Sequence, residues 1–216
     1  MMLESHETKW VFDLAGGRLC LDFANTVSGI RIYDERDRLA EYSDLVSWAR
    51  QATILDEVQA GKLLTTARDA PQEAAATFRE ARALREAIYG IFLAFAEGRD
   101  QPPGDLDILN AALKRTLSHR CIEMRGTGEA RYALGWEEVP GTLDSFLWPV
   151  VTSAAELLVS TDDLSRVKVC GLFRTHECGW LFLDETRSRT RRWCSMETCG
   201  NRAKARRHYQ RTKTQP

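Results

Sequence analysis

Four cysteines in the C-terminal quarter constrain this chain more than any other feature of its sequence. They stand in two pairs: Cys170 with Cys178, and Cys194 with Cys199. A spacer of 15 residues separates the pairs. Each pair can approach one ion from a turn while such a spacer folds as a hairpin. The spacing therefore predicts a tetrahedral four-thiolate site for a structural zinc ion.

Two other interpretations of these cysteines stay open. They could be unrelated small core residues, because free cysteine is commonly buried. His176 could replace Cys170 as a ligand, and His208 is a second possible substitute. The sequence begins with no secretory apolar run and contains no membrane-spanning stretch, so we expect a cytoplasmic protein with reduced thiols. The other two cysteines are predicted to be buried packing residues: Cys20 and Cys121.

The residues around the cysteines predict a treble-clef-like module. Apolar residues from Trp180 to Leu183 predict one arm of a hairpin, with residues 191–193 as its return arm. Ser195 is a suitable N-cap for a following helix, which would aim Cys199 at the metal from its first turn. A structural zinc ion can contribute about 10 kcal/mol to folding, which a small segment with little core requires.

Charge is divided unevenly along the chain. Residues 165–216 carry 13 Lys and Arg against 4 Asp and Glu, a net charge of +9, whereas the remainder carries −10. This asymmetry predicts an acidic domain over residues 1–163 and a basic domain over residues 164–216. It also predicts a polyanionic partner for the basic domain.

The basic domain predicts a surface for nucleic acid, with duplex DNA as the expected partner. Arginine and lysine side chains neutralise phosphates, and an asparagine or arginine can reach base edges. Two alternatives are a solvated basic tail and a surface that docks on the acidic domain. The candidate residues lie near the end of the spacer and along the last predicted helix: Arg189, Arg191, Arg192, Asn201, Arg202, Lys204, Arg206, Arg207 and Arg211.

The N-terminal part predicts an α+β domain that is mainly helical and has antiparallel strands. The longest helical pattern runs from Pro71 to Gly98, and residues 121–136 alternate around a glycine turn as a β-hairpin. Residues 12–27 include an alternating apolar stretch and predict a strand. The fold class expected for the chain is therefore α+β with a small C-terminal zinc finger.

A polar cluster near the end of that predicted strand is a candidate ligand pocket. It consists of Asp22, Asn25 and Arg31, although Asn25 and Thr26 could instead cap a turn. The acidic domain has few histidines and no phosphate-binding loop, so we expect no enzyme. A small-molecule enzyme stays an alternative, and it would require perturbed titratable residues that converge in one pocket.

Two stretches resemble known families. Residues 193–211, WCSMETCGNRAKARRHYQR, resemble the CGNR zinc finger, which is named for the tetrapeptide at 199–202, and CGWLFLD at 178–184 fits the same module. Residues 14–27, LAGGRLCLDFANTV, resemble the start of the ABATE domain of stress-induced transcription regulators. The resemblance implies a regulatory or sensing domain, with a small-molecule effector, ahead of a DNA-binding finger. A zinc-stabilised module that binds protein or RNA is the alternative.

Overall fold

Helices dominate the structure, and two small antiparallel sheets accompany them. The computed structural model of the protein describes residues 11–27, 37–124, 126, 131–137, 139 and 141–213. The helices are α1 (Leu19–Ala24), α2 (Tyr42–Gln51), α3 (Glu57–Asp69), α4 (Pro71–Glu97), α5 (Asp105–Ser118), α6 (Trp148–Val159), α7 (Thr161–Leu164) and α8 (Asn201–Lys213). The strands are β1 (Arg120–Met124), β2 (Tyr132–Trp136), β3 (Val167–Val169) and β4 (Leu181–Leu183). These elements confirm the predicted fold class. Within the described residues, none of the helices has the length and hydrophobicity to span a membrane.

The strand predicted within residues 12–27 is wrong, because its centre forms helix α1. Alternation of Leu19, Leu21 and Phe23 suggested a period of two. In the structure Cys20, Leu21 and Phe23 are all buried, because α1 packs against α4, α6 and β4. A short element that is covered on several sides has apolar residues in every direction, so its periodicity carries little information.

Helix α4 is the central element of the core, as its long apolar pattern predicts. Pro71 occupies its first turn, and Gly98 ends it in the left-handed conformation with φ 63°. Arg85 is the one charged residue among the buried residues of α4, and its exposed fraction is 1%. The Arg85 guanidinium donates two hydrogen bonds to Asp37, at 2.7 and 2.6 Å. This bidentate pair neutralises the buried charge and ties the segment before α2 to the core.

The two sheets are both hairpins, but only one has the predicted strands. β1 pairs with β2 in antiparallel register from Arg120↔Trp136 to Met124↔Tyr132, which confirms the hairpin predicted over 121–136. The second prediction is wrong: β4 pairs with β3, Val167↔Leu183 and Val169↔Leu181, and not with residues 191–193. The inner side chains of β3 and β4 complete the main core beneath α4, and a polar return arm could not supply them.

Three long-range contacts attach the cysteine-bearing segment to the helical part. The Asn25 side chain donates to the Leu181 carbonyl at 2.8 Å and accepts from the Leu181 amide at 2.9 Å. The Tyr89 hydroxyl donates to the Gly179 carbonyl, and the Trp180 indole donates to the Val27 carbonyl, both at 2.9 Å. Consecutive residues 179–181 are thereby held against α1 and α4. The division into domains at 163/164 stays a prediction.

Replacing Asn25 with alanine should destabilise the protein by about 2–4 kcal/mol. The side chain has an exposed fraction of 3%, so the change leaves the Leu181 amide and carbonyl buried without partners. Urea unfolding of the full chain measures the loss, and Asn110→Ala on the exposed face of α5 is the matched control. A loss below about 0.5 kcal/mol, the size expected of a surface substitution, would contradict this reading.

Candidate metal centre and basic helix

The first cysteine pair lies in the loop between β3 and β4. Cys170 follows β3 directly, and its amide donates to the Trp180 carbonyl at 2.9 Å. A 3₁₀ turn, Phe173–Thr175, reverses the chain and ends at His176 with φ 57°. The loop then returns to Cys178, two residues before the apolar run that becomes β4. Pairing of β3 with β4 therefore brings two cysteines with seven residues between them to the same end of a hairpin.

The second pair lies at the start of the last helix. Ser195 is confirmed as the N-cap, because its side chain accepts a hydrogen bond from the Thr198 amide. A π-helical turn, Met196–Gly200, follows, in which the Gly200 amide donates to the Ser195 carbonyl at 3.0 Å. This turn carries Cys199 and leads directly into α8. The helix is therefore anchored at the cysteine cluster by its first residues.

The four sulfur atoms all lie within 4.8 Å of one another. Cys178 Sγ is 3.7 Å from Cys194 Sγ, and Cys194 Sγ is 3.6 Å from Cys199 Sγ. A disulfide would require about 2.05 Å, so these thiols are free. Four thiolates at about 2.3 Å from a zinc ion stand roughly 3.8 Å apart in a regular tetrahedron. The donor atoms and their spacing therefore fit a structural zinc ion.

Protonation of the cluster also favours a cation at its centre. Hydrogen bonds from Cys178, Cys194 and Cys199 lower the pKa of Cys170, whereas hydrogen bonds with Cys170, Cys178 and Cys199 raise the pKa of Cys194. Buried sulfurs this close together retain protons, because several thiolates would repel one another. A divalent cation removes that repulsion, so zinc binding is expected to release protons.

The cluster has its own small apolar shell. All four cysteines are buried, with exposed fractions of 0–5%, and two aromatic residues, Trp180 and Trp193, pack against them. Phe182 and Leu172 are buried in the same shell, as is Ala203 from the first turn of α8. The shell excludes water from the sulfurs and seats α8 on the cluster.

His176, His208 and the remaining two cysteines do not belong to the cluster. Among the described residues, the group of metal-type ligands consists of the four paired cysteines and includes neither His176 nor His208. Cys20 is fully buried in α1, where burial raises the pKa of its thiol to about 12. Cys121 is half-buried on β1. The alternative in which His176 replaces Cys170 has no support in this geometry.

Arg191 is bound within the protein. Its guanidinium donates to the carbonyls of Cys194 and Leu183 and lies over the Phe182 ring, 4.6 Å from the ring centroid. The nearby Asp184 carboxylate is fully buried. Burial raises its pKa, but hydrogen bonds from Lys168, Thr186 and the Arg191 amide outweigh burial and lower the pKa below its usual range. Arg191 and Asp184 therefore organise the spacer between the cysteine pairs.

Helix α8 is exposed along almost its whole length. Only Ala203 is buried among its residues 201–213, and the helix contains no acidic residue. Arg202 donates to the Glu177 carbonyl at 3.3 Å, and Arg206 forms an ion pair with the Glu177 carboxylate. These two arginines, one turn apart, hold α8 against the loop that carries Cys178.

The other predicted nucleic-acid residues differ in their surroundings. Arg189 forms an ion pair with Asp162 at 2.7 Å, and Arg192 lies over the Trp193 ring. The Asn201 side chain donates to the Glu197 carbonyl at 2.9 Å. Three cations of α8 form a surface that we call the outer face: Lys204, Arg207 and Arg211. Among the described residues, no acidic side chain pairs with any of the three.

Two of the predicted ligand-pocket residues, Asp22 and Asn25, form hydrogen bonds within the fold. Asp22 accepts a hydrogen bond from the Gly16 amide at 2.7 Å, and burial raises the pKa of its carboxyl to about 6. Asn25 is occupied by the Leu181 backbone, and Arg31 lies outside the described residues. The described cavity lies elsewhere, between α4, α5 and α6. A ligand role for these three residues stays a prediction.

Sequence reasoning missed the residues that join the cluster to its surroundings. Glu177 accepts hydrogen bonds from Arg202 and Arg206 of α8, and Tyr89 lies 90 positions before its partner Gly179. No local pattern marks either contact, because each depends on elements that meet only in the folded chain. The position of Glu177 next to Cys178 is the one available signal, since acidic residues are few in this basic segment.

Comparisons with protein families match nearly the whole chain. The model of the ABATE family, described as "Putative stress-induced transcription regulator", matches residues 17–161, about two thirds of the chain. The model of the CGNR zinc finger matches residues 166–212, which include the four cysteines and α8 up to Thr212. A comparison with curated proteins gave no match.

Proposed function

This chain belongs to the ABATE family and carries a CGNR zinc finger, and we propose that it regulates transcription by binding duplex DNA through helix α8. In this proposal residues 164–216 form the DNA-binding part and residues 1–163 form a regulatory part that senses a signal. The zinc ion is structural and holds the helix in place. The protein acts in the cytoplasm, and its families favour a regulator over an enzyme.

The observation that carries the proposal is the outer face of α8. Lys204, Arg207 and Arg211 are three, four and seven residues apart, so they lie on one side of the helix. All three are exposed, and the ion pair from Arg206 to Glu177 lies on a different side. An exposed row of cations without carboxylate partners is suited to a backbone of phosphates.

The anchoring of α8 strengthens the proposal. Its first turn is buried against the cysteine cluster through Ala203, and Glu177 holds two of its arginines. A helix fixed at one end loses little conformational freedom on binding, so its cations are positioned before they meet DNA. Arg192, beside the cluster, could add a fourth phosphate contact. Such contacts set affinity and orientation, and they do not by themselves read sequence.

Fluorescence anisotropy with labelled duplex DNA of random sequence tests the proposal. The zinc-loaded full chain should bind, and four phosphate contacts predict a slope of about −3.6 when log affinity is plotted against log salt concentration. Absence of binding at about 50 mM salt, or binding that does not weaken as the salt concentration rises, would overturn the proposal. Duplex and single-stranded RNA of equal length are the comparison ligands, and clear preference for RNA would favour the RNA-binding alternative.

A further inference from the structure

A cavity of about 220 Å³ lies between helices α4, α5 and α6. Its inner wall is apolar, and the residues that form it are nearly all buried: Ala81, Leu84, Ala112, Leu147, Trp148 and Val151. Its opening carries polar and charged residues: Thr77, Glu80, Arg115 and Asp144. An apolar floor with a few polar groups at one end is the usual form of a small-molecule site.

The charged groups at the opening are not balanced. Glu80 and Arg115 form an ion pair at 3.3 Å, and both are more than half exposed. Asp144 is half-buried, and among the described residues no other residue donates a hydrogen bond to its carboxylate. Arg115 is already paired, so the cavity retains one negative charge that lacks a close partner.

This arrangement lowers the stability of the protein when no ligand is bound. Burial raises the pKa of Asp144, and the Glu80 charge raises it further, although Arg115 and His119 act in the opposite direction. An ionised carboxylate at neutral pH therefore opposes folding at this position. Groups that lower stability in this way are common where a ligand binds.

We propose that this cavity binds a small organic amine, with the ammonium group on the Asp144 carboxylate and an apolar body against Leu84, Leu147 and Val151. The volume suits a ligand of roughly ten heavy atoms, somewhat smaller than the occupants of typical pockets. The cation replaces the partner that Asp144 lacks, and the apolar walls exclude carbohydrate-like or highly charged molecules. This inference goes beyond DNA binding and concerns a site between α4, α5 and α6.

Nuclear magnetic resonance titration of the full chain, without DNA, tests the inference. The probes are phenethylamine and its neutral isostere 2-phenylethanol, and the signal is the indole N–H of Trp148, which lines the cavity. The amine should bind with roughly millimolar affinity, about tenfold tighter than the alcohol, because a charge-assisted hydrogen bond is stronger than a neutral one. Equal binding of the two probes, or no binding of either to the folded chain, would overturn the inference.

Two variants locate the binding site. Asp144→Asn should reduce the affinity for the amine to about that of the alcohol, and Asp69→Asn at the exposed end of α3 should leave it unchanged. Ala111→Trp at the exposed margin of the cavity should block both probes without entering the core. If Asp144→Asn does not fold, the Ala111→Trp variant and the comparison of the two probes still show whether the amine binds in this cavity. Full amine binding by Ala111→Trp would place the site elsewhere and refute the assignment.

Discussion

Replacing Cys194 with serine should release the zinc ion and destabilise the protein by at least about 3 kcal/mol, which lowers the Tm by about 6–12 °C for a chain of this size. Cys194 Sγ lies close to the sulfurs of both Cys178 and Cys199, so it is central to the cluster. Serine removes a thiolate ligand, and three cysteines hold a structural zinc ion less tightly than four, so the folding free energy that the metal supplies is lost. Zinc content by elemental analysis and thermal unfolding measure the two effects.

The loss should extend beyond the zinc finger. Gly179, Trp180 and Leu181 follow Cys178 and bond to Tyr89, Val27 and Asn25 of the helical part. Leu181 and Leu183 belong to the main core. Disorder around Cys178 therefore weakens contacts of α1 and α4. We expect tryptophan fluorescence to change below the main unfolding transition, because Trp180 and Trp193 pack against the cluster.

The matched control is Cys121→Ser. Cys121 is half-buried on β1 and does not belong to the sulfur cluster, so this variant should keep one zinc ion per chain. Titration with Co²⁺, whose spectrum reports tetrahedral thiolate ligation, checks that four sulfurs bind one ion. A stoichiometric zinc content in purified Cys194→Ser would contradict the four-cysteine site. An absence of zinc in the unmodified chain would contradict it more directly.

Replacing Lys204, Arg207 and Arg211 together with alanine should weaken DNA binding by about 100-fold at 50 mM salt and reduce the salt slope by about 2.7. The three side chains form the outer face, and alanine preserves the helix while it removes three phosphate contacts. The cysteine cluster, Ala203 and the Glu177 contacts are unchanged, so zinc content should remain normal. Anisotropy across a series of salt concentrations gives both quantities.

The control for this triple variant removes three cations elsewhere. Lys62, Arg79 and Lys114 are exposed on α3, α4 and α5, so their replacement by alanine changes net charge equally. If DNA binding depends only on total charge, both triple variants should lose the same affinity, and the assignment to α8 fails. If the outer face is the interface, the control variant should keep its affinity within a few-fold.

The helices with long apolar patterns were predictable, and the short elements were not. Helix α4 was evident because its apolar residues repeat over many turns and Gly98 ends it. Helix α1 has six residues and is buried on several sides, so its apolar residues show no periodicity that distinguishes a helix from a strand. The pairing of β4 was misassigned for a related reason: three-residue strands carry too little pattern to identify a partner, so the contact with the core decided it.

The amino-acid sequence alone determined the metal chemistry and the density of positive charge. Cysteine spacing identifies a four-thiolate cluster because ligands in two short turns are close in the chain, and a basic helix is visible in its composition. Tertiary structure alone decided how the cations are used: Arg191 is bound by carbonyls, Arg202 and Arg206 are held by Glu177, and the outer face is left exposed. The cavity beside Asp144 likewise depends on three helices that meet only in the fold, because contacts between distant segments leave no periodic trace in the sequence.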